Sequence, residues 1–244
     1  MSENKRHGRR IALVTGGNKG IGREIVAQLA RLGATVLPGA RDKARLEDGV
    51  AALRADGLGV HPVGLDVTDP ASAAEAAEWI GREFGWRDVL VNNPAITGGR
   101  PAEPSAMDLD RLRLVFETNV LGVLTVTNAM LPLLRRSASV VIVNVSSSVG
   151  SLQRAAGGEW AAMPASATYV PSKTALNSLT VQCAKELTGI RVNAVNPGWC
   201  ATDLNGFQGQ LSAAEGAETV VQYATIGPDG PTGGFFGADG VEPW

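Results

Sequence analysis

A glycine-rich turn between a predicted strand and a predicted helix constrains this 244-residue chain more than any other feature. Residues 11–14 are apolar and typical of a strand, and Gly16, Gly20 and Gly22 follow at the spacing Gly-x3-Gly-x-Gly. Residues 23–32 then have the apolar periodicity of a helix. This order is that of a βαβ nucleotide site, because glycine lets a pyrophosphate approach the backbone and the helix N-terminus attracts it. Alone, the pattern also fits a tight turn without a ligand.

The rest of the chain alternates predicted strands with predicted helices. Further strands are predicted at residues 34–37, 60–65, 88–92, 139–145, 190–195 and 235–236. Helices are predicted at residues 43–56, 71–84, 106–134, 168–187 and 213–223. This alternation, without a linker or a repeat, predicts an α/β fold: one single-domain, Rossmann-like doubly wound parallel sheet of about seven strands with helices on both faces. A basic polar leader, residues 1–10, precedes the domain of residues 11–244.

Composition argues against several kinds of partner. A net charge of −2 does not indicate nucleic acid. Residues 118–134 are uncharged but contain Thr, Asn and Pro, which favours a buried helix over a membrane span. No apolar signal-peptide core precedes the first strand, and two cysteines, Cys183 and Cys200, fit a reducing cytoplasm. Neither the cysteines nor the two histidines have the spacing of a metal site. We therefore expect a cytoplasmic protein with no metal, nucleic-acid or membrane partner.

Polar or glycine residues follow almost every predicted strand. They are Thr15-Gly16, Arg41, Asp66, Asn92-Asn93, Ser146-Ser147-Ser148 and Asn196-Pro197-Gly198. The carboxyl ends of parallel strands meet at one edge of the sheet, and ligands bind at that edge. We expect these residues to surround the functional site.

Two stretches carry groups that could take part in proton transfer. Tyr169 and Lys173 are four residues apart and share a helix face. An ammonium beside the phenol should lower the Tyr169 pKa from about 10, so that the phenol exchanges a proton near neutral pH. A hydroxyl of residues 146–148 could hold a carbonyl oxygen. The alternatives are an ordinary surface pair and hydroxyls that cap a strand end.

Together these stretches resemble the short-chain dehydrogenase/reductase family, in its single-domain branch. The matching residues are 15–22, Leu65-Asp66-Val67, residues 90–93, Asn119, Ser147, Tyr169-x3-Lys173, Asn196-Pro197-Gly198 and Thr202. The resemblance covers nearly the whole chain and is strongest to the NADPH-dependent carbonyl reductases, through residues 15–22, 39–42, 196–199 and the tail to Trp244. Those enzymes have a longer insertion before the catalytic tyrosine than this chain has.

The resemblance implies a catalytic set of four residues. Tyr169 would be the general acid in reduction and the base in oxidation. Lys173 would lower the Tyr169 pKa and bind the nicotinamide ribose. Ser147, which lies three residues before Gly150 as in the family pattern Ser-x2-Gly, would bind the substrate oxygen. Asn119 would hold a water in a proton relay to Lys173.

The resemblance also implies NADP(H) as the cofactor and residues 11–244 as one NADP-binding reductase domain. The implied cofactor contacts are Gly16, Asn18, Lys19, Gly20, Ile21, Gly22, Arg41, Asp66, Val67, Asn93, Tyr169, Lys173, Pro197, Gly198 and Thr202. Lys19 and Arg41 suit a 2′-phosphate, and no acid occupies residues 38–40, where NAD enzymes place a carboxylate. Asp66 is expected at the adenine amino group.

The implied function is NADPH-dependent reduction of a ketone, aldehyde or quinone, with a small-molecule carbonyl as substrate. An alcohol dehydrogenase that works oxidatively and a catalytically idle NADP-binding sensor or scaffold are the alternatives. Trp160 and Trp199 are candidate substrate contacts, although scattered aromatics also serve packing. A monomer and a homo-oligomer both fit the sequence.

One departure from the family pattern lies beside the expected cofactor. The family's Asn-Asn-Ala-Gly is Asn92-Asn93-Pro94-Ala95 in this chain. Proline removes a backbone N–H, and alanine adds a Cβ where glycine is usual. We expect a change in loop geometry that leaves every catalytic group in place.

Overall fold

An eight-stranded, mostly parallel sheet forms the centre of the protein. A computed structural model describes residues 10–85 and 88–244. The strand order is β3-β2-β1-β4-β5-β6-β7-β8, and only β8 runs antiparallel to its neighbour. The strands are β1 Ile11–Thr15, β2 Thr35–Ala40, β3 Val63–Gly64, β4 Val89–Asn92, β5 Val140–Val145, β6 Ile190–Val195, β7 Phe235–Gly237 and β8 Gly240–Val241.

Helices connect the parallel strands. They are α1 Gly20–Arg31, α2 Lys43–Ala55, α3 Pro70–Phe84, α4 Leu109–Phe116, α5 Gly122–Leu134, α6 Leu152–Ala156, α7 Tyr169–Glu186 and α8 Ala213–Ala224. A π turn, Glu117–Leu121, joins α4 to α5. Short 3₁₀ turns are Pro104–Ala106, Ser148–Gly150 and Asp203–Asn205.

Alternate residues of each strand feed two cores, one on each face of the sheet. In β1, Ala12 and Val14 face the core built with α1, α2 and α8. Ile11 and Leu13 face the core built with α3, α5 and the end of α7. Burial on both faces explains the near-continuous apolar strands, and the predicted α/β doubly wound fold is confirmed.

Two predicted strand boundaries are wrong. The strand expected at residues 60–65 pairs only at Val63–Gly64, with a separate bridge at Val60, because Pro62 has no N–H for the ladder between them. The second strand was predicted at residues 34–37, yet β2 extends from Thr35 to Ala40. Its pairing with β1 extends through Pro38 and Gly39, both of which are buried.

The helix predicted at residues 106–134 begins later and is not regular. It starts at Leu109 and contains the π turn, which an apolar pattern continuing on both sides does not reveal. The run Leu109–Leu134 is long and apolar enough to cross a membrane by length and composition. In this fold Val126, Met130 and Leu134 lie in the core, as expected for the core helix of a globular domain.

Three further details concern a helix start, a connecting segment and the first residues of the chain. Helix α3 begins at Pro70, one residue before the predicted start, and the Asp69 carboxylate accepts a hydrogen bond from Ala71 N at 2.9 Å. Helix α6 lies between β5 and α7, where no helix or strand was predicted. Of the predicted leader, residues 1–9 lie outside the described residues, whereas Arg10 reaches the carbonyl oxygens of Ala224 and Ile226 at 3.5 Å.

Candidate active site

The carboxyl edge of the sheet opens into a cleft of about 610 Å³ between the glycine turn and the start of α7. Of the residues predicted from the sequence, the cleft is lined by Gly16, Asn18, Lys19, Gly20, Ile21, Arg41, Asp66, Val67, Asn93, Tyr169, Lys173, Pro197 and Thr202. The other predicted residues are not part of this lining; they are Gly22, Asn119, Ser147, Trp160, Gly198 and Trp199.

Glycine is required by geometry in the turn before α1. Gly16 and Gly20 have φ values of +63° and +52°, in the left-handed region that side chains disfavour. A Cβ on Gly22 would overlap the carbonyl oxygen of Gly16 and lie 2.6 Å from Asn93 Nδ2. Helix α1 begins after Lys19, whose side chain does not cap it, and its first turn has no acid. The first N–H groups of α1 are therefore free of side-chain partners and available to an anion.

Cations gather at the end of the cleft that follows β2. Arg41 is exposed there and makes no ion pair with a described residue. Lys19 pairs with Asp203 across the cleft mouth, and Arg45 Nε lies 3.2 Å from an Asp42 carboxylate oxygen. Arg41 is thus the cation at this end whose charge is not already matched by a described residue.

Asp66 uses part of its hydrogen-bonding capacity within its own turn. Its Oδ1 accepts from Thr68 N at 2.9 Å and from Thr68 Oγ1 at 2.7 Å. Its backbone N donates to Ser72 Oγ at 3.0 Å. This local turn fixes the carboxyl group in the wall of the cleft, with Oδ2 left over for a ligand.

Tyr169, Lys173 and Ser147 meet at the other end of the cleft. Tyr169 begins α7, and its phenol lies beside the Ser147 side chain, which acts to lower the Tyr169 pKa. Lys173, one turn later, is 1% exposed and donates from Nζ to Val145 O at 2.8 Å. Its Nζ lies 5.6 Å from the centroid of the Tyr169 ring. The chain therefore brings the three predicted catalytic groups together.

Burial changes the pKa values of Tyr169 and Lys173, and one prediction from the sequence about them is wrong. Burial raises the pKa of Tyr169 to about 12, while the Ser147 hydrogen bond opposes that change. Burial also lowers the pKa of Lys173 to about 7. The sequence predicted that Lys173 would lower the Tyr169 pKa. In the chain alone it does not, because both groups are removed from water and charge is disfavoured on each.

The three serines after β5 have different partners. Ser146 is buried, and its hydroxyl donates to Asn177 Oδ1 at 2.5 Å. Ser147 precedes the 3₁₀ turn, but its side chain does not cap it. Gly150 packs so closely on α7 that a Cβ would lie 2.9 Å from the Lys173 carbonyl carbon. This contact holds the Ser147 segment against the helix that carries Tyr169.

Asn119 lies in the π turn, and both its amide oxygen and its amide nitrogen are hydrogen-bonded. Its Oδ1 accepts from Ile96 N and its Nδ2 donates to Ile96 O, both at 2.9 Å. Nδ2 also donates to Ser172 Oγ at 3.0 Å. Asn119 thus ties the loop after β4 to α7. A π turn also leaves helix carbonyl groups less completely bonded, and such turns often occur at functional sites.

The departure at Pro94 and Ala95 is accommodated without backbone strain. Both residues line the cleft. Among the described residues, Phe207 is the one non-glycine with a positive φ, so Ala95 does not need the left-handed region. Asn119 holds the loop at Ile96, directly beyond the departure.

The two candidate substrate tryptophans lie in loops, and neither is part of the cleft lining. Trp160 follows α6, and its indole Nε1 is buried without a partner among the described residues. Trp199 follows Gly198 and is 59% exposed. Gly198 has a φ of +82°, and a Cβ there would lie 2.7 Å from Leu211.

Some cleft residues escaped the sequence reasoning. They include Arg45, Asp203, Leu114 and Thr118. Arg45 lies four residues after Arg41, and Asp203 directly follows Thr202. Their closeness in sequence to predicted site residues could therefore have identified both. Leu114 and Thr118 are also four apart, but the π turn that follows was not foreseen.

The part of the chain that the structure describes shows no arrangement of residues typical of a metal centre. Among residues 10–85 and 88–244, no group of three or more His, Cys, Asp or Glu could hold a metal ion. The site's polar groups instead suit a long anionic ligand: open N–H groups at α1, a glycine surface and an unpaired arginine. These features fit a dinucleotide.

Comparison with known proteins gives the same family throughout. Residues 10–211 match the model of the short chain dehydrogenase family. Short-chain dehydrogenase/reductase 1 of Saponaria officinalis is 33% identical, with 97% of this chain and 96% of that protein covered. Carbonyl reductase [NADPH] 1 of Pongo abelii is also 33% identical, with 97% and 99% covered.

A solved structure extends the likeness to three dimensions. The crystal structure of NADPH-bound carbonyl reductase from chicken fatty liver superposes with a TM-score of 0.86 at 28% identity, covering 97% of this chain and 99% of that one. Fold and sequence indicate the same family. The chain belongs to the short-chain dehydrogenase/reductase family and is similar to its carbonyl reductases.

Proposed function

We propose that this oxidoreductase catalyses NADPH-dependent reduction of a ketone, aldehyde or quinone to the alcohol, with Tyr169 as the proton donor. The observation that supports this most directly is the meeting of Tyr169 with Ser147 beside Lys173 at the closed end of the cleft. When bound, the cofactor supplies the hydride. The chain's own residues orient the carbonyl and provide the proton.

The protonation of Tyr169 favours the reductive direction. With a pKa of about 12, the phenol keeps its proton at neutral pH. Reduction needs a donor for the oxygen that gains charge, whereas oxidation needs a base that has already lost its proton. The Ser147 hydroxyl, which lies beside the same phenol, would orient the substrate oxygen toward Tyr169.

The cofactor would lie along the cleft from Arg41 to Lys173. Arg41 would bind the 2′-phosphate, because its guanidinium can grip a phosphate with two hydrogen bonds. The N–H groups that begin α1 would receive the pyrophosphate, which the glycines at 16 and 20 leave room for. Lys173 would bind the nicotinamide ribose, for which its Nζ already lies at the floor of the site.

The substrate would be a small-molecule carbonyl compound with an apolar body. Apolar side chains are part of the cleft lining, among them Pro94, Ile96, Leu114 and Leu204. Such walls exclude water from the carbonyl and strengthen the hydrogen bonds to it.

Substitution of Tyr169 by Phe tests the proposal. The variant keeps the ring and loses the proton donor, so single-turnover NADPH oxidation with the best carbonyl of a panel should slow about 10²- to 10⁴-fold. NADPH affinity should change little, since Arg41 and α1 are untouched. Circular dichroism and thermal unfolding would check that the variant is folded.

The outcomes separate the alternatives. A folded Tyr169→Phe variant with a near wild-type rate would remove Tyr169 from its proposed role. Wild-type protein that binds NADPH but reduces no carbonyl and oxidises no alcohol would favour the idle sensor or scaffold. Faster alcohol oxidation than carbonyl reduction at neutral pH would favour the oxidative dehydrogenase.

A further inference from the structure

The largely buried carboxylate of Glu242, near the end of the chain, connects two segments that adjoin the active site. Glu242 follows β8, and its side chain is 11% exposed. One oxygen accepts from the Arg154 guanidinium at 2.6 Å, and the other accepts from Asn196 Nδ2 at 2.9 Å. Arg154 belongs to α6, whereas Asn196 directly follows β6. No part of the catalytic chemistry described above uses Glu242.

Each end of this connection belongs to a segment that is joined along the chain to residues of the site. Arg154 lies in the segment between Ser147 and Tyr169. On the other side, Asn196 Oδ1 accepts from Gly198 N at 3.0 Å and so fixes the turn at Pro197, which lines the cleft. Glu242 therefore fixes the position of the segment that follows Ser147 relative to the turn at Pro197.

The surrounding backbone is shaped to admit this carboxylate. A Cβ on Gly237 would overlap Glu242 Oε1 and lie 3.2 Å from its Cδ. Glu242 N donates to Phe235 O at 2.8 Å, which anchors the residue to β7. Glycine at 237 thus leaves the space in which the carboxylate lies.

The next residues reinforce the same contact. The main-chain oxygen of Trp244 accepts from Gln153 N at 2.8 Å and from Ser151 Oγ at 3.1 Å, at the start of α6. The Trp244 ring stacks on Phe235 with centroids 5.5 Å apart. Segment 242–244 is therefore bound to α6 and its start through both side-chain and backbone contacts.

We infer that Glu242 is a positioning residue of the active site: through Arg154 and Asn196 it sets the separation of the two loops that flank Ser147 and Tyr169, and so tunes substrate binding. The inference rests on the proposed carbonyl reduction for its catalytic consequence. The tether itself can be tested without any turnover.

The chain provides a matched control for this test. Arg154 pairs with two carboxylates, both at 2.6 Å: Glu242 and Glu159. Glu159 lies on the same segment as Arg154 and is 43% exposed, so its ion pair joins the loop only to itself. Glu242→Gln and Glu159→Gln remove the same charge from the same guanidinium, but only the first cuts the tether.

Limited trypsin digestion measures the tether directly. Arg154 is the one Lys or Arg between Arg136 and Lys173, so cleavage after it reports release of this segment. A hydrogen bond to a charged group contributes enough that Glu242→Gln should be cut there about tenfold faster or more than the wild type. Glu159→Gln should be cut at nearly the wild-type rate.

Steady-state kinetics measure the consequence for the site. Because a small displacement of substrate-positioning groups is costly, Glu242→Gln should lose about 10- to 100-fold in kcat/KM for the carbonyl, mainly through KM for bulky substrates. NADPH affinity should match the wild type. In the Arg154→Met background the Glu242→Gln change should have little further effect, since the tether is already broken.

The results also separate this inference from the proposed function. Equal trypsin cleavage and equal kinetics in the two glutamine variants would overturn it. Faster cleavage of Glu242→Gln with unchanged KM would also overturn it, because the tether would then be structural only. If the wild type reduces no carbonyl, the proposed function fails while the digestion still decides whether Glu242 holds the segment.

Discussion

At the scale of single residues, a cation at the Arg41 end of the cleft is available to a ligand only if no carboxylate of the protein already pairs with it. Lys19, Arg41 and Arg45 all border the cleft. Asp203 and Asp42 already pair with Lys19 and Arg45, at exposed positions where ion pairs stabilise little. Arg41 has no such partner among the described residues, so a ligand phosphate meets no competitor there.

Arg41 should therefore decide cofactor preference. Replacing it with Ala should lower kcat/KM for NADPH about 10- to 100-fold and leave kcat/KM for NADH nearly unchanged, because only NADPH carries the 2′-phosphate. Arg45→Ala is the matched control, and its effect should be smaller. Equal use of NADH and NADPH by the wild type would contradict the assignment.

The spacing of residues along the sequence identified the reactive residues but did not predict the environment of each. The interval of four between Tyr169 and Lys173 correctly placed both in one site. Their pKa changes depend on burial beneath loops from distant parts of the chain, which spacing does not encode. In the same way, the sequence offered three adjacent serines, and only the contact between Ser146 and Asn177 shows that the first hydroxyl is already engaged.

At the scale of elements, the junction of β1 and α1 depends on direct backbone contact. Helix α1 approaches the turn so closely that Gly22 leaves no space for a side chain beside Gly16 and Asn93. Asn93 in turn bonds to Thr15 Oγ1 through its backbone N at 3.0 Å. The ends of β1 and β4 and the start of α1 thus form one packed unit.

Substitution of Gly22 by Ala should disturb this unit. The added methyl must push α1 away from the turn, at a cost of about 1–3 kcal/mol or more in the free energy of unfolding. NADPH affinity should fall as well, because the first N–H groups of α1 move. Urea unfolding and cofactor titration measure the two effects.

Gly227→Ala is the control for this change, since a Cβ there meets no atom within 4 Å. Equal stabilities and NADPH affinities for the two alanine variants would show that the turn tolerates the methyl group. That result would contradict the close packing described for α1.

Helices and strands were predicted well where the apolar pattern determines their ends. They were predicted poorly where backbone hydrogen bonding determines them. Apolar runs located β5 and β6 within a residue of their ends. Pro62 interrupts the ladder of β3, and a two-residue β8 has too little pattern to detect. Helix α6 has only five residues, which is shorter than two helical turns.

At the scale of the whole molecule, Lys173 couples folding to pH. Burial lowers its pKa in the folded protein from 10.5 to about 7. Between these pH values the unfolded chain binds a proton that the folded protein does not, so stability rises with pH in this window and is constant below it. Tyr169 acts in the opposite direction, but only between its ordinary pKa of 10 and the folded value of about 12.

A comparison with Lys173→Met isolates this term. In cofactor-free protein, the wild type should gain free energy of unfolding relative to the variant as pH rises from 7 toward 10, by at most about 5 kcal/mol. Urea titrations across this range measure the difference. Parallel pH profiles for the two proteins would mean that Lys173 keeps its ordinary pKa when folded.

The π turn at Glu117–Leu121 limits how the chain can change in length. A π turn holds more residues per turn than an α turn, so it takes up one extra residue while the helix on either side continues. Within this turn Asn119 bonds to Ile96, and beyond it Val126 and Met130 of α5 lie in the core. Deleting one residue would convert the turn to α-helical geometry and change the directions of the side chains within it, Asn119 among them. The segment can thus accept a change of side chain far more readily than a change of length.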